Sequence, residues 1–300
     1  MEEENKAKFS WLHLPSLFAK TYTQWMAEDP FRLSAIVAYY AVLSLPALLV
    51  IILNIVGSIW GAEVVQGEMT DEFTAALGAE AATSIEEMIA ESQNEDKNLI
   101  STIIGIAMLI FGATGVFYQL KISLNQIWNI KPDPKAVFRK MVIDRARSFA
   151  FILVIGFLLL ISFILTTAIT TLSNFISSHL PDVLIYLAYT IDFIVSIGII
   201  SLLFALMFRY LPDAIIRWKT VWIGAFITAF LFVLGKLLLS LYFTQMEPGS
   251  TYGAAGTVVL ILLWVSYSCL ILFFGAAFTK VYADRYGKGI RPSNVGIVEE

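Results

Sequence analysis

The chain has 300 residues, 58% of them hydrophobic and 15% charged, with a mean hydropathy of +0.76. Soluble domains are about 45–50% apolar and about 25% charged, so this composition excludes a water-soluble domain, a disordered chain and a collagen-like one. A single cysteine, Cys269, excludes an intramolecular disulfide; His13 and His179 leave little material for a metal site; and the net charge of -4 conceals a strong asymmetry along the chain.

Met1–Lys8 is acidic and polar, and no apolar core with a small-residue cleavage site follows, so no cleavable signal is expected. Trp11, Leu14, Phe18, Tyr22 and Trp25 then recur at helical spacing. They predict a helix within an N-terminal segment 1–33, lying in the membrane interface or packed on the ends of the spans. Asp29-Pro30 predicts the start of the next helix, with Asp29 as N-cap and Pro30 in the first turn. Six stretches then have the roughly 20 apolar residues a helix needs to cross the hydrocarbon, at about 34–60, 99–120, 149–175, 183–208, 221–243 and 257–278. The short connection between the third and fourth predicts a tight hairpin around Pro181. Contiguous apolar runs, rather than ten-residue alternation, indicate helices and not an outer-membrane barrel. The expected fold is all-α: a polytopic membrane helix bundle with six transmembrane helices over residues 34–280, an N-terminal interfacial helix, an outer amphipathic helical insert at 61–98, and a cytoplasmic tail at 281–300.

The insert is rich in acids, from Glu63 to Asp96, while Phe73, Leu77, Ala81, Ile85, Met88 and Ile89 keep a helical spacing and Ser84 with Glu87 resembles a capping box. A solvated polar face accounts for these acids; the functional reading is a mouth for cations or a basic envelope protein partner. Of the 20 basic residues, all but Lys97 and Lys236 fall on one side of a six-span chain. That bias predicts a multi-pass protein of the bacterial inner membrane with both termini in the cytoplasm.

Asp192 and Lys236 are the only two charges well inside a span. At 1.5 Å per residue both lie roughly 10–14 Å below the outer surface, and the antiparallel fourth and fifth helices predict that they pair. Such a pair either lines a substrate path or locks two helices, with Lys236 snorkelling outward as a fallback. On the third span Ser162, Thr166, Thr170, Asn174 and Ser177 share one face, and Tyr189, Asp192 and Ser196 make a shorter stripe on the fourth. These stripes suggest a partly polar interior, although Ser and Thr also bond back to their own helix or to neighbouring helices. The clusters Gly112-Ala113-Thr114-Gly115, Gly253-Ala254-Ala255-Gly256 and Gly275-Ala276-Ala277 permit close helix contact or a helix break.

Several runs in combination resemble the YihY/BrkB family of bacterial inner-membrane proteins. They are Ala38-Tyr39-Tyr40-Ala41-Val42-Leu43-Ser44-Leu45-Pro46 in the first span, and Gly115-Val116-Phe117-Tyr118-Gln119-Leu120-Lys121 followed by Leu124-Asn125-Gln126-Ile127-Trp128 after the second. Before the fifth come Arg209-Tyr210-Leu211-Pro212-Asp213, Trp218-Lys219 and Gly224-Ala225; around the last come Tyr252-Gly253-Ala254-Ala255-Gly256, Leu263-Trp264-Val265 and Phe274-Gly275-Ala276. The resemblance spans about residues 28–287. Where the family commonly reads Gly-Ala-Glu-Phe, this chain has Gly275-Ala276-Ala277-Phe278. The resemblance implies six spans, cytoplasmic termini and an envelope role, with some members linked to transport of lipid or lipopolysaccharide or to serum resistance. It makes Asn125, Gln126, Trp128, Arg209 and Pro212 candidate functional residues at the cytoplasmic end, although a helix-end anchor explains Trp128 equally well.

Members of this family were once labelled ribonuclease BN. A zinc-dependent nuclease needs several His and Asp ligands, and two distant histidines do not supply them. No Gly-x-x-x-x-Gly-Lys-Ser/Thr run is present, so ATP is not expected as the direct energy source. The leading expectation is a transporter, exporter or flippase for a lipidic or amphipathic molecule; the alternative is a non-catalytic envelope scaffold. No enzyme activity, metal or cofactor is expected. The basic loop 131–147 is what orientation requires, so its neighbours are expected to be anionic membrane lipids and not nucleic acid.

Overall fold

A computed structural model describes residues 11–44, 115–132, 183–246, 256–293 and 296–298, with single positions between 61 and 87. The expected third span and the polar face of Ser162, Thr166, Thr170 and Asn174 lie outside the described residues, as do residues 45–60 of the first span and 99–114 of the second. The described chain is an all-α membrane helix bundle. Helix α1 is Leu14–Ala27, α2 is Pro30–Ser44, and α3 covers 115–127. Helices α4 (Val183–Tyr210), α5 (Trp218–Met246) and α6 (Gly256–Tyr286) have 28, 29 and 31 residues. At 1.5 Å per residue each exceeds the roughly 30 Å of hydrocarbon. All three are long and apolar enough to cross a membrane, and no more than 33% of each apolar stretch is buried inside the protein. Such surface is stable only against lipid. Described positions 66–67, 70, 74, 82–83 and 86–87 of the acidic insert are helical, and Thr70 there bonds the Glu86 carboxylate.

The helix ends follow local chemistry. Asp29 starts α2 as expected: its carbonyl accepts the Leu33 N–H at 3.2 Å. It does so with a φ of 53°, a left-handed conformation that Asp tolerates. Its carboxylate accepts Arg32 Nε at 2.9 Å. Helix α3 runs past the expected limit at residue 120, so Leu124–Ile127 is helical where a loop was expected. It stops at Asn129, again left-handed with a φ of 55°. Helix α6 continues eight residues beyond the apolar run that ends at Phe278, because Val281, Tyr282 and Ala283 are buried against the protein.

The chain divides into two compact units. One comprises Met1–Tyr22, Leu124–Leu231 and Gly275–Glu300; the other comprises Thr23–Ser123 and Phe232–Phe274. In the first unit α5 crosses α6 through a reciprocal contact. Gly224 faces Thr279 so closely that a Cβ would overlap Oγ1, and Gly275 faces Thr228 in the same way. Each threonine hydroxyl donates back to the glycine carbonyl four residues earlier on its own helix, both at 2.7 Å. Leu17 of α1 packs on Phe278, Val281 and Tyr282 of α6, with Leu14 and Phe18 beside it and Ile223 and Ile227 of α5 behind. Of the two expectations for the N-terminal helix, this is packing on the span ends. The buried line is Leu17 and Thr21, and Tyr22 is turned outward at 56% exposure. Spacing alone put Tyr22 on the inner stripe, because the predicted stripe was centred one position away from the one that docks.

In the same unit four short strands interrupt the helical pattern. Strand β2, Ala214–Ile215, pairs antiparallel with β3, Arg291–Pro292. Strand β1, Ile130–Pro132, pairs antiparallel with β4, Gly296–Val298, in the register Ile130↔Val298. The segment after α6, expected as a plain tail, is therefore tied to two earlier loops. In the second unit Gly115 of α3 lies against the Tyr40 ring of α2, and Gly235 of α5 against Tyr267 and Ile271 of α6. Trp25 packs edge-on against Phe274, with ring centroids 5.7 Å apart.

Gly224→Ala and Gly275→Ala are each expected to destabilise the purified protein by about 1–3 kcal/mol through overpacking. The paired change Gly224→Ala with Thr279→Ala should recover part of that loss. Thermal unfolding in detergent measures both, and a double variant that simply adds two penalties would refute the reciprocal contact.

Candidate functional site

The motif residues at the basic end of the helices converge within one unit. The last turn of α3 supplies Asn125, with Trp128 just after the helix, the turn after α4 supplies Pro212 and Asp213, and the last third of α6 supplies Ala276 and Lys280. Asn125 and Asp213 are 5% and 2% exposed. They meet through two bonds: Asn125 Nδ2 donates to Asp213 Oδ2 at 3.2 Å, and the Asp213 N–H donates to Asn125 Oδ1 at 2.8 Å. A carboxylate buried this deeply is costly unless hydrogen-bonded, and one amide side chain serves one of its two oxygens, Oδ2, and its backbone N–H.

Trp128 Nε1 donates to the Ala276 carbonyl at 2.9 Å, and its ring sits edge-on to Phe208 at 6.1 Å. Lys280 Nζ donates to the Ile127 carbonyl at 3.0 Å and to Asn129 Oδ1 at 2.9 Å. A cation at a helix C-terminus satisfies carbonyls that lack helical partners and complements the negative end of the macrodipole. Arg209 Nη1 donates to the Ile216 carbonyl, closing the turn between α4 and α5, and its guanidinium lies 5.7 Å from the Trp218 ring centre. Pro212 is buried in that turn and Gln126 is half-buried. The Asp213 carbonyl accepts the Ser293 N–H at 2.9 Å, joining the turn to the strand β3 segment.

Asn125, Trp128, Arg209 and Lys280 each donate to a carboxylate, an amide oxygen or a backbone carbonyl, so this cluster positions helix ends. Asp213 and Lys280 are its central members, and neither is among the candidates that the sequence pattern marks. Asp213 stood inside the quoted Arg209–Asp213 run, a signal for it. Lys280 looked like one more orienting charge. Ala277 is fully buried; an acid at that position would need a partner inside the protein.

The mid-membrane candidates are distributed differently. Ser196 is half-buried on α4, and Lys236 is exposed on α5 beside exposed Leu237 and Leu238. The backbone of α4 carries Tyr189 and Asp192, whose side chains lie outside the described residues. Among the described residues no group of three or more His, Cys, Asp or Glu is placed to hold a metal ion.

Fold and composition together define a multi-pass α-helical integral membrane protein. The chain belongs to the family described as virulence factor BrkB, whose profile matches residues 21–295. A UPF0761 membrane protein of Vibrio vulnificus is 27% identical over 267 residues, covering 87% of this chain and 80% of the relative. A second, from Pseudoalteromonas atlantica, is 23% identical over 275 residues, covering 91% and 88%. A UPF0761 membrane protein of Vibrio cholerae is 26% identical over 225 residues, covering 74% and 70%. No solved structure matches.

Asn125→Ala removes both bonds to Asp213 and is expected to cost about 1–3 kcal/mol, more if the carboxylate stays charged. Asn125→Asp should cost more, because two carboxylates then face each other. Trp128→Phe keeps the ring packing and should cost only about 1 kcal/mol. Thermal unfolding in one detergent ranks the three, and the reverse order would show that the cluster does not support the fold.

Proposed function

We propose that this protein is a non-enzymatic transporter, exporter or flippase for a lipidic or amphipathic molecule of the cell envelope. It would act in the bacterial inner membrane with both termini in the cytoplasm. What supports this reading is the presence of two ionisable residues, Asp192 in α4 and Lys236 in α5, inside membrane-length apolar helices; Lys236 is exposed on its helix, and on this reading that face borders the path. Ionisable groups at such depth are expensive and commonly mark a path. The alternative is a non-catalytic scaffold that docks an envelope protein on its acidic insert. It predicts no movement of lipid.

Reconstitution into liposomes containing nitrobenzoxadiazole-labelled phosphatidylglycerol, with dithionite quenching from outside, tests movement directly. Wild-type protein should raise the accessible fraction above the half that protein-free vesicles give, while Lys236→Ala and Asp192→Ala should slow the rate by about tenfold. Rates equal to protein-free vesicles would end the phospholipid form of the proposal and favour the scaffold. Sidedness is tested separately in intact spheroplasts with a membrane-impermeant maleimide. Ser92→Cys should react and Glu3→Cys should not, with buried Cys269 silent; the opposite pattern would invert the orientation.

A further inference from the structure

The start of α5 and the end of α6 enclose a recess of about 460 Å³ lined by Arg217, Trp218, Lys219, Tyr282, Tyr286 and Gly287. That volume lies in the usual range for a small-ligand site. Arg217 is the residue that starts α5: its carbonyl accepts the N–H of Thr220 at 2.9 Å and of Val221 at 3.1 Å. No acidic residue occupies the first turn. The beginning of a helix carries positive partial charge and ordinarily collects Asp, Asn, Ser or Thr. This one carries two exposed cations, Arg217 and Lys219, against its own dipole. A local electrostatic conflict of this kind is relieved when an anion enters the space between the charges. The aromatic wall is held in place: Tyr286 OH bonds His13 Nδ1 at 2.8 Å. The nearby Arg285 is already engaged, donating Nη1 to Ser16 Oγ at 2.9 Å.

The surroundings select the source of that anion. From the recess, Trp218, Trp222, Phe226 and Phe230 follow one another at four-residue spacing along α5, all between 42% and 55% exposed. They form an apolar stripe on a helix that crosses the membrane, with tryptophans at the end where the cations sit. Tryptophan and basic residues at a span's end are the usual markers of the headgroup level. A phosphate at Arg217 and Lys219 would therefore hang above a surface suited to acyl chains.

We propose that this recess binds the phosphate of an anionic lipid headgroup, whose acyl chains lie along the Trp218–Trp222–Phe226–Phe230 stripe. The assignment is independent of the transport reading, since it requires binding at one leaflet and no movement between leaflets.

Native mass spectrometry of the full-length protein in detergent tests it, with phosphatidylglycerol, phosphatidylcholine and inorganic phosphate as probes. Phosphatidylglycerol should bind more tightly than phosphatidylcholine, and Arg217→Gln with Lys219→Gln should weaken it by about tenfold or more. The charge-matched pair Lys6→Gln with Lys8→Gln should leave it unchanged, and the exchange Arg217→Lys with Lys219→Arg should keep most of it. If the neutralised pair elutes as aggregate, Lys219→Gln alone should still weaken binding by about threefold. Equal binding of the two lipids, no loss in the neutralised variants, or displacement of phosphatidylglycerol by millimolar inorganic phosphate would each overturn the proposal. The last result would assign the recess to a soluble anion.

Discussion

The crossing of α5 over α6 is the contact from which much of the basic end follows. Lipid tails are as apolar as leucine, so helices in a bilayer are not driven together by the hydrophobic effect; close packing and hydrogen bonding do that work. Here each helix offers a Gly-x-x-x-Thr step, Gly224 to Thr228 and Gly275 to Thr279, and each threonine lies on the other helix's glycine. Because both hydroxyls are satisfied within their own helices, the side chains press on the facing backbone without needing a polar partner there. The residues that follow Gly275 then acquire fixed directions. Ala276 presents its carbonyl to Trp128, Lys280 reaches the end of α3, and Phe278, Val281 and Tyr282 form the surface on which α1 lies.

The basic residues at this end therefore act at two levels. As a population they make up the charge asymmetry of the chain. Individually several have defined partners: Lys280 on the end of α3, Arg209 on the Ile216 carbonyl, Arg285 on Ser16. Arg217 and Lys219 are exposed and face the recess described above. A substitution that conserved net charge at Lys280 would still lose geometry, since a guanidinium fork does not place three donors as an ammonium does.

Much of this architecture is legible in the sequence, because the signals involved are local. Apolar runs mark α4, α5 and α6, Asp29-Pro30 marks the junction of α1 and α2, and the glycine clusters mark close approaches at Gly115 and Gly275. What escapes a local reading is long-range or very short. Asn125 and Asp213 are 88 positions apart, and no pattern in either run announces the other. Strands of two or three residues carry too few positions for alternation to register. Helix α6 outlasts its apolar run because its final turns are buried by protein, where hydropathy gives no warning. The candidate residues at mid-membrane depth were inferred from their position along a helix, a measure that gives height but not azimuth.

The pairing of β1 with β4 and of β2 with β3 has a temporal consequence. Residues 130–132 and 214–215 are synthesised well before residues 291–298, which complete their ladders. At about 5–20 residues per second the first of these edges waits roughly 10–30 s for its partner. Until then the two earlier stretches of backbone lack the strands that complete their ladders. The late segment thus works as a closing stitch, the last part of the chain needed to fix both earlier loops.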